Sequence, residues 1–190
     1  ELARLADTLP GIAFTGLMSH QHLAEYTDDV ARVQEARKYI QMCLDVKAAV
    51  EADGLPVEVV SSGETFSYDV APQMPGVTEV EGGTYALMCN WYSYMREFEI
   101  ANKVLGTVIS VPRPGVAIGD VGTRALSWTG QDPTVEGMPG VSVERVLQDH
   151  IVLRTDDSMR LEVGDQFTLL PWYQDMMVNR WDQFIAVRNG

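Results

Sequence analysis

Three stretches decide the fold when read together: the apolar run Ile12-Ala13-Phe14-Thr15-Gly16-Leu17-Met18, an amphipathic segment opening at Thr27, and Val57-Glu58-Val59-Val60. The first is a short run of the kind that predicts a strand buried on both faces. Ahead of it, Leu2-Ala3-Arg4-Leu5-Ala6 reads as a helix met midway. From Thr27 a long helix is expected, with Thr27 as N-cap and Asp28 and Asp29 at the positive end of the helix dipole, stopped by Gly54 and Pro56. Val30, Val33, Ala36, Tyr39, Ile40, Cys43, Val46 and Val50 recur at spacings of three or four, a stripe that must pack on something flat, and a sheet is the natural partner. Val57–Val60 is then a second strand, and Thr78-Glu79-Val80 leading to Tyr85-Ala86-Leu87-Met88 a third, in the order of parallel α/β units.

Beyond about Arg96 the grammar changes to alternating strands broken by turns, among them Pro112-Arg113-Pro114-Gly115 and Met138-Pro139-Gly140. Val141–Val146, His150–Arg154, Gln166–Leu170 and Gln183–Arg188 are the clearest strands of an antiparallel region. The chain therefore divides into an α/β segment, residues 1–96, and a β domain, residues 97–190. A complete parallel barrel takes about 250 residues, so the α/β part reads as incomplete. Either its remaining strands belong to a segment outside this chain, or it is a small three-stranded layer sealed by the β domain.

Fourteen Lys and Arg against 27 Asp and Glu give a net charge of -13, which would repel any phosphate backbone and argues against nucleic-acid binding. No stretch approaches the roughly 20 apolar residues needed to cross a bilayer. Glu1–Pro10 lacks the basic and apolar zones of an export signal, so a cytoplasmic, non-membrane protein is expected. Cys43 and Cys89 form neither a disulfide framework nor a metal-binding set.

In parallel α/β folds ligands sit at the carboxyl ends of the strands. Those ends carry Ser19-His20-Gln21-His22, then Ser61-Ser62-Gly63-Glu64-Thr65, then Gly82-Gly83-Thr84-Tyr85. Glycines that let oxygens approach, with backbone N–H groups and hydroxyls that donate, are what a phosphate cradle requires; a plain turn uses the same residues.

The chain resembles, almost end to end, the C-terminal half of the D-threonine aldolase and eukaryotic-type D-serine dehydratase family, pyridoxal phosphate enzymes with an alanine-racemase-like barrel. The carriers are Gly16-Leu17-Met18, Val60–Thr65, and Pro75-Gly76-Val77-Thr78-Glu79-Val80-Glu81-Gly82-Gly83-Thr84-Tyr85. Further on come Asp120–Ser127, Asp149-His150, Leu161–Asp165 and Leu170-Pro171 leading to Val178-Asn179, in the family's order. The resemblance implies the last part of a (β/α)8 barrel followed by an antiparallel β domain, usually working as a homodimer of the full enzyme. Ser62, Gly63 and Thr65, with Gly83, Thr84 and Tyr85, would hold the phosphate of pyridoxal 5'-phosphate. His20 falls where relatives carry a His or Tyr near the cofactor ring, and His22 has no counterpart.

Three departures from the family pattern matter. The lysine that anchors the cofactor is matched by none of Lys38, Lys47 and Lys103, so it would come from an N-terminal barrel portion supplied separately. The family's divalent metal (Mn or Zn) is held by a His and, two residues on, an Asp or Cys; here the pair is Tyr173 and Asp175, a phenol being a poor ligand at neutral pH. Glu64 and Phe66 alter the phosphate loop, and Glu64 is expected to face solvent or an arginine. Asp149-His150 reads as an acid-base pair, with His20, His150 and Tyr173 as catalytic candidates and Asp175 as the metal candidate. The implied activity is cleavage of a D-β-hydroxy-α-amino acid such as D-threonine. Dehydration of a D-serine-type substrate, racemisation, or a noncatalytic scaffold subunit of the same fold are the alternatives.

Overall fold

The computed structural model describes residues 1–126 and 130–188; Ser127, the last residue of one family motif, lies outside them. The chain divides into two compact units, Glu1–Tyr85 and Ala86–Gly190. The division falls ahead of the 96/97 boundary read from composition. Asn90 and Trp91 donate their N–H groups to Pro171 and Trp172, and Ala101 donates to Leu87, so this stretch is stitched into the second unit.

In the first unit, helix α1 (Leu2–Thr8) precedes strand β1 (Gly16–Ser19), helix α2 (Asp29–Ala52) and strand β2 (Val59–Ser62). β1 and β2 pair in parallel from Gly16↔Val59 to Ser19↔Ser62, as a strand–helix–strand unit demands. A Cβ on Gly16 would lie 2.2 Å from the Val59 carbonyl oxygen, so only glycine permits this pairing. β1 is shorter than the apolar run and is not buried on both faces, because its partner is β2 alone: Met18 is 72% exposed. Asp28, not Thr27, caps α2 by accepting the Ala31 N–H at 2.9 Å, and Gly54 at φ +88° follows the helix end.

The helix stripe is narrower than the sequence predicts. Ala36, Ile40 and Cys43 are buried, with Cys43 packing on Val57 and Val60, but Val30 and Val46 are exposed. Two strands cover only part of the stripe. The buried position one turn before Ala36 is Arg32, a cation on the expected apolar side of the helix.

The expected third strand shrinks to a parallel bridge, Ser61↔Glu79. Val60 N–H donates to Thr78 Oγ1 at 2.8 Å and Ser62 N–H to the Glu79 carbonyl at 3.0 Å, which aligns this segment beside β2. Gly82 and Gly83 then break the extended run. Thr84–Ala86 is a 3-10 turn, and Met88 takes a left-handed φ of 53°.

The second unit is an antiparallel sheet of strands β3 (Val104–Arg113), β4 (Val116–Gly119), β5 (Thr134–Val135), β6 (Val141–Val146), β7 (Ile151–Thr155) and β8 (Gln166–Leu170). Among the described residues their order is β5-β8-β3-β4-β7-β6, and the end strands β5 and β6 pack together, so the sheet curls nearly closed. Short helices α3 (Thr123–Leu126) and α4 (Gln174–Val178) cover it. Its core gathers Val108, Ile151, Leu153, Phe167, Leu169 and Met177. Gln183–Arg188 is not a strand: it has no pairing partner among the described residues, and Ile185 is 86% exposed. No described helix is long and apolar enough to cross a membrane.

Candidate functional site

The carboxyl ends of β1 and β2 carry a polar network. Ser19 Oγ and Ser62 Oγ lie 2.8 Å apart, and Gln21 Nε2 donates to both, at 2.9 and 3.1 Å. Gln21 is buried, and its Oε1 has no hydrogen-bond partner. This residue was invisible to the sequence reading, because only its burial between two strand ends marks it. His20 and His22, on either side of it, are exposed. His20 lines an open hollow of about 300 Å³ with Leu17, Tyr39 and Met42.

The two glycine-bearing loops come together within this unit. Tyr85 N–H donates to Thr65 Oγ1 at 3.1 Å, Glu81 N–H donates to the Gly63 carbonyl at 3.2 Å, and Ser61 Oγ donates to the Glu81 carboxylate. The glycines differ in what they do. Gly63, at φ +123°, would drive a Cβ to 2.6 Å from Ala71, so it is fixed by packing, whereas Gly83 has open space above its Cα. Thr65 is buried and its Oγ1 is already an acceptor, so its hydroxyl proton is what it can offer a ligand.

Glu64 faces neither solvent nor an arginine. It is 6% exposed; its carboxylate accepts the backbone N–H groups of Leu23 and Phe66, and its Oε1 has no partner. Burial pushes this carboxyl up to about 7 against the opposing effect of those two donors. A carboxyl pushed up to about 7 carries only part of its charge near neutrality, which weakens the like-charge objection to a neighbouring phosphate. Together with the open face of Gly83 and the Thr65 hydroxyl, it makes the loops compatible with a phosphate group. The buried arginine of this unit pairs elsewhere: Arg32 bonds the Phe66 carbonyl at 2.7 Å and both Asp69 oxygens at 2.8 and 3.0 Å.

In the second unit the Tyr173 hydroxyl donates to Asp175 Oδ2 at 2.7 Å. That hydrogen bond, followed by burial, pushes the phenol up to about 12. Trp91 lies edge-on to Tyr173 at 5.6 Å and stacks on Trp172 at 6.2 Å. Cys89 is fully buried; its sulfur accepts N–H groups from Gln174, Trp91 and Tyr92, and burial raises the thiol. The expected Asp149–His150 pair is not formed as an acid-base couple. Asp149 is paired with Arg124 at 2.9 Å, and His150 stands exposed in the turn before β7. No cluster of three or more His, Cys, Asp or Glu able to hold a metal occurs among the described residues.

A parallel strand–helix–strand unit with ligand-compatible loops, followed by an antiparallel β unit, defines the class: this is the alanine-racemase-like, fold-type III architecture, as its C-terminal half. Within that class, residues 101–187 match the family described as "putative serine dehydratase domain". The whole chain is similar to a 3-hydroxy-D-aspartate aldolase of Paracoccus denitrificans (30% identity, 52% of that protein covered) and to a D-threonine aldolase of Arthrobacter sp. (26%, 52% covered). Among solved structures it superposes on D-threonine aldolase from Filomicrobium marinum with a TM-score of 0.91 at 27% identity, covering 99% of this chain and 52% of that one. A cysteine-to-alanine mutant of D-threo-3-hydroxyaspartate dehydratase in its metal-free form gives 0.78 at 26% identity, over 94% of this chain and 54% of that one. The resemblance to the D-threonine aldolase and D-serine dehydratase group therefore runs through both units. The chain spans about half the length of the curated relatives it matches.

Proposed function

We propose that this chain forms the C-terminal portion of a pyridoxal 5'-phosphate-dependent lyase that cleaves a D-β-hydroxy-α-amino acid, such as D-threonine, to glycine and an aldehyde. The observation that carries the reading is the Thr65–Tyr85 tie. It draws the loops after β2 and the bridge at Glu79 into one surface, on a chain similar over its whole length to two kinds of D-hydroxy-amino-acid aldolase. The cofactor, when bound, supplies an electron sink for the bond being broken. In this chain, Gly83 gives an anionic oxygen access to backbone, Thr65 donates its hydroxyl proton, and Thr84 and Tyr85 flank the group. Gly63 shapes the turn, and Ser62 braces it through Ser19 and Gln21 rather than acting alone. His20 borders the hollow after β1 as a candidate for the cofactor-ring side, His150 is a candidate for proton handling at substrate, and Tyr173 takes part through the Asp175 carboxylate to which it donates. The anchoring lysine would come from an N-terminal barrel portion, in a cytoplasmic homodimer.

Equilibrium dialysis of the native protein against pyridoxal phosphate, followed by product analysis with D-threonine, tests this. Retained cofactor together with glycine formation is the expected result; protein that retains no pyridoxal phosphate would refute it. A second reading rests on the similarity to D-threo-3-hydroxyaspartate dehydratase of Delftia sp. strain HT23 (29% identity, over 84% of this chain and 47% of that protein). Dehydration would release ammonia and a keto acid in place of glycine and aldehyde.

A further inference from the structure

We propose that this chain holds no divalent cation at Tyr173 and Asp175, and that Tyr173 instead does by hydrogen bonding what a cation would do by charge: it fixes the Asp175 carboxylate in one orientation. Three observations carry this. The phenolic proton is committed to Asp175 Oδ2 at 2.7 Å, so the oxygen facing the carboxylate is a donor and not a lone pair. A divalent ion placed between them would have to break that 2.7 Å hydrogen bond and would meet an O–H in place of a lone pair. Nor can the hydroxyl swing away freely, because its ring is held edge-on by Trp91 at 5.6 Å and by Tyr92 at 6.5 Å.

The remaining donors close the argument. The thiol of Cys89 is fully buried with its sulfur turned to the backbone N–H groups of Gln174, Trp91 and Tyr92. Those donors occupy the lone pairs that a metal would take. No cluster of three or more His, Cys, Asp or Glu able to hold a metal lies among the described residues, so Asp175 would act as a lone carboxylate, which does not hold Mn²⁺ or Zn²⁺ against water. Tyr173 is thus a positioning residue for Asp175. The inference is independent of the pyridoxal reading, because it concerns only the second unit and its test contains no cofactor.

The test is a Mn²⁺ titration of the native protein, its Asp175→Asn variant and its Tyr173→His variant, with free Mn²⁺ followed by electron paramagnetic resonance. Native protein and Asp175→Asn are expected to bind within threefold of one another. A native affinity three or more times tighter than that of Asp175→Asn would overturn the proposal. Because Asp175 is exposed, its replacement leaves the fold intact, and this comparison decides on its own. Tyr173→His, which exchanges the donor for a nitrogen lone pair, is expected to gain tenfold or more. A gain below threefold in a variant with native circular dichroism would also overturn the proposal, since something other than the phenol would then be excluding the ion.

Discussion

The backbone N–H of Tyr85 donates to Oγ1 of Thr65 across 3.1 Å, and this bond joins two loops that lie 20 residues apart in sequence. Thr65→Val keeps the shape and removes the acceptor. The Tyr85 N–H then loses this acceptor, at a cost of about 1 kcal/mol. Pyridoxal phosphate affinity is expected to fall along with stability, as measured by equilibrium dialysis and urea unfolding. Affinity that stays unchanged despite the lost stability would mean that the loops do not act together on the phosphate.

Gly83 separates binding from folding more cleanly. Nothing lies within 4 Å of a Cβ built there, so Gly83→Asp should leave the unfolding midpoint within about 0.5 kcal/mol of native. A carboxylate placed in that open space meets the phosphate directly, and pyridoxal phosphate retention should disappear. Unchanged pyridoxal content in the folded variant would remove this loop from the site.

Glu64 makes stability depend on pH in an unusual direction. Its folded-state carboxyl is pushed up from 4.5 to about 7, so between those values the native state holds a proton that the unfolded chain has released. The contribution of the Glu64 carboxyl to stability is therefore complete below about 4.5 and is lost as the pH rises through about 7, by on the order of 3 kcal/mol. Glu64→Gln, a neutral isostere, should flatten this part of the profile. Urea midpoints measured across the range check it, and equal slopes in the two proteins would show that the carboxyl is not desolvated as the fold implies.

The legible parts of this molecule were those set by periodicity and turn chemistry. The helix stop at Gly54, the hairpin at Pro114-Gly115 and the span of Val141–Val146 could be read directly. What failed were inferences about surroundings. Val30 and Val46 have the spacing of core residues, but the two strands are too narrow to cover them. Glu64 reads as surface because carboxylates usually are, and only the tertiary approach of the Leu23 and Phe66 N–H groups makes its burial tolerable. Asp149 beside His150 looks like a couple in sequence, yet Arg124 from α3 competes for the carboxylate and takes it. Gln21 gave no signal, because an amide between two histidines becomes notable only once it is enclosed.

Arg32 tests the cost of a cation on the buried side of a helix. It is 4% exposed, and it bonds Asp69 and the Phe66 carbonyl, so Arg32→Met takes a charged donor from both acceptors. A loss of about 1–3 kcal/mol is expected, since the one-third exposed Asp69 carboxylate can be rehydrated. Asp69 also supplies an acid-side dependence: its hydrogen bond to Arg32 holds it below the ordinary 3.8. The pair's contribution is complete above that value and fades as the pH drops through the lowered folded-state value. Arg32→Met should abolish this fading; acid unfolding that keeps its native steepness in the variant would count against the pair.

The second unit depends on how closely two glycines approach one ring. A Cβ at Gly106 or at Gly119 would come within 2.4 Å of Phe167 Cζ, and Phe167 is only 1% exposed in the core. Gly106→Ala on β3 should therefore cost about 1–3 kcal/mol through overpacking, not through loss of any contact. Phe167→Leu alone should also destabilise, by opening a cavity. The two together should cost less than their sum, because the shorter side chain vacates the space the new methyl needs. Guanidinium unfolding of the four proteins in this cycle measures the coupling, and simple additivity would show that the ring does not lie against the Gly106 backbone.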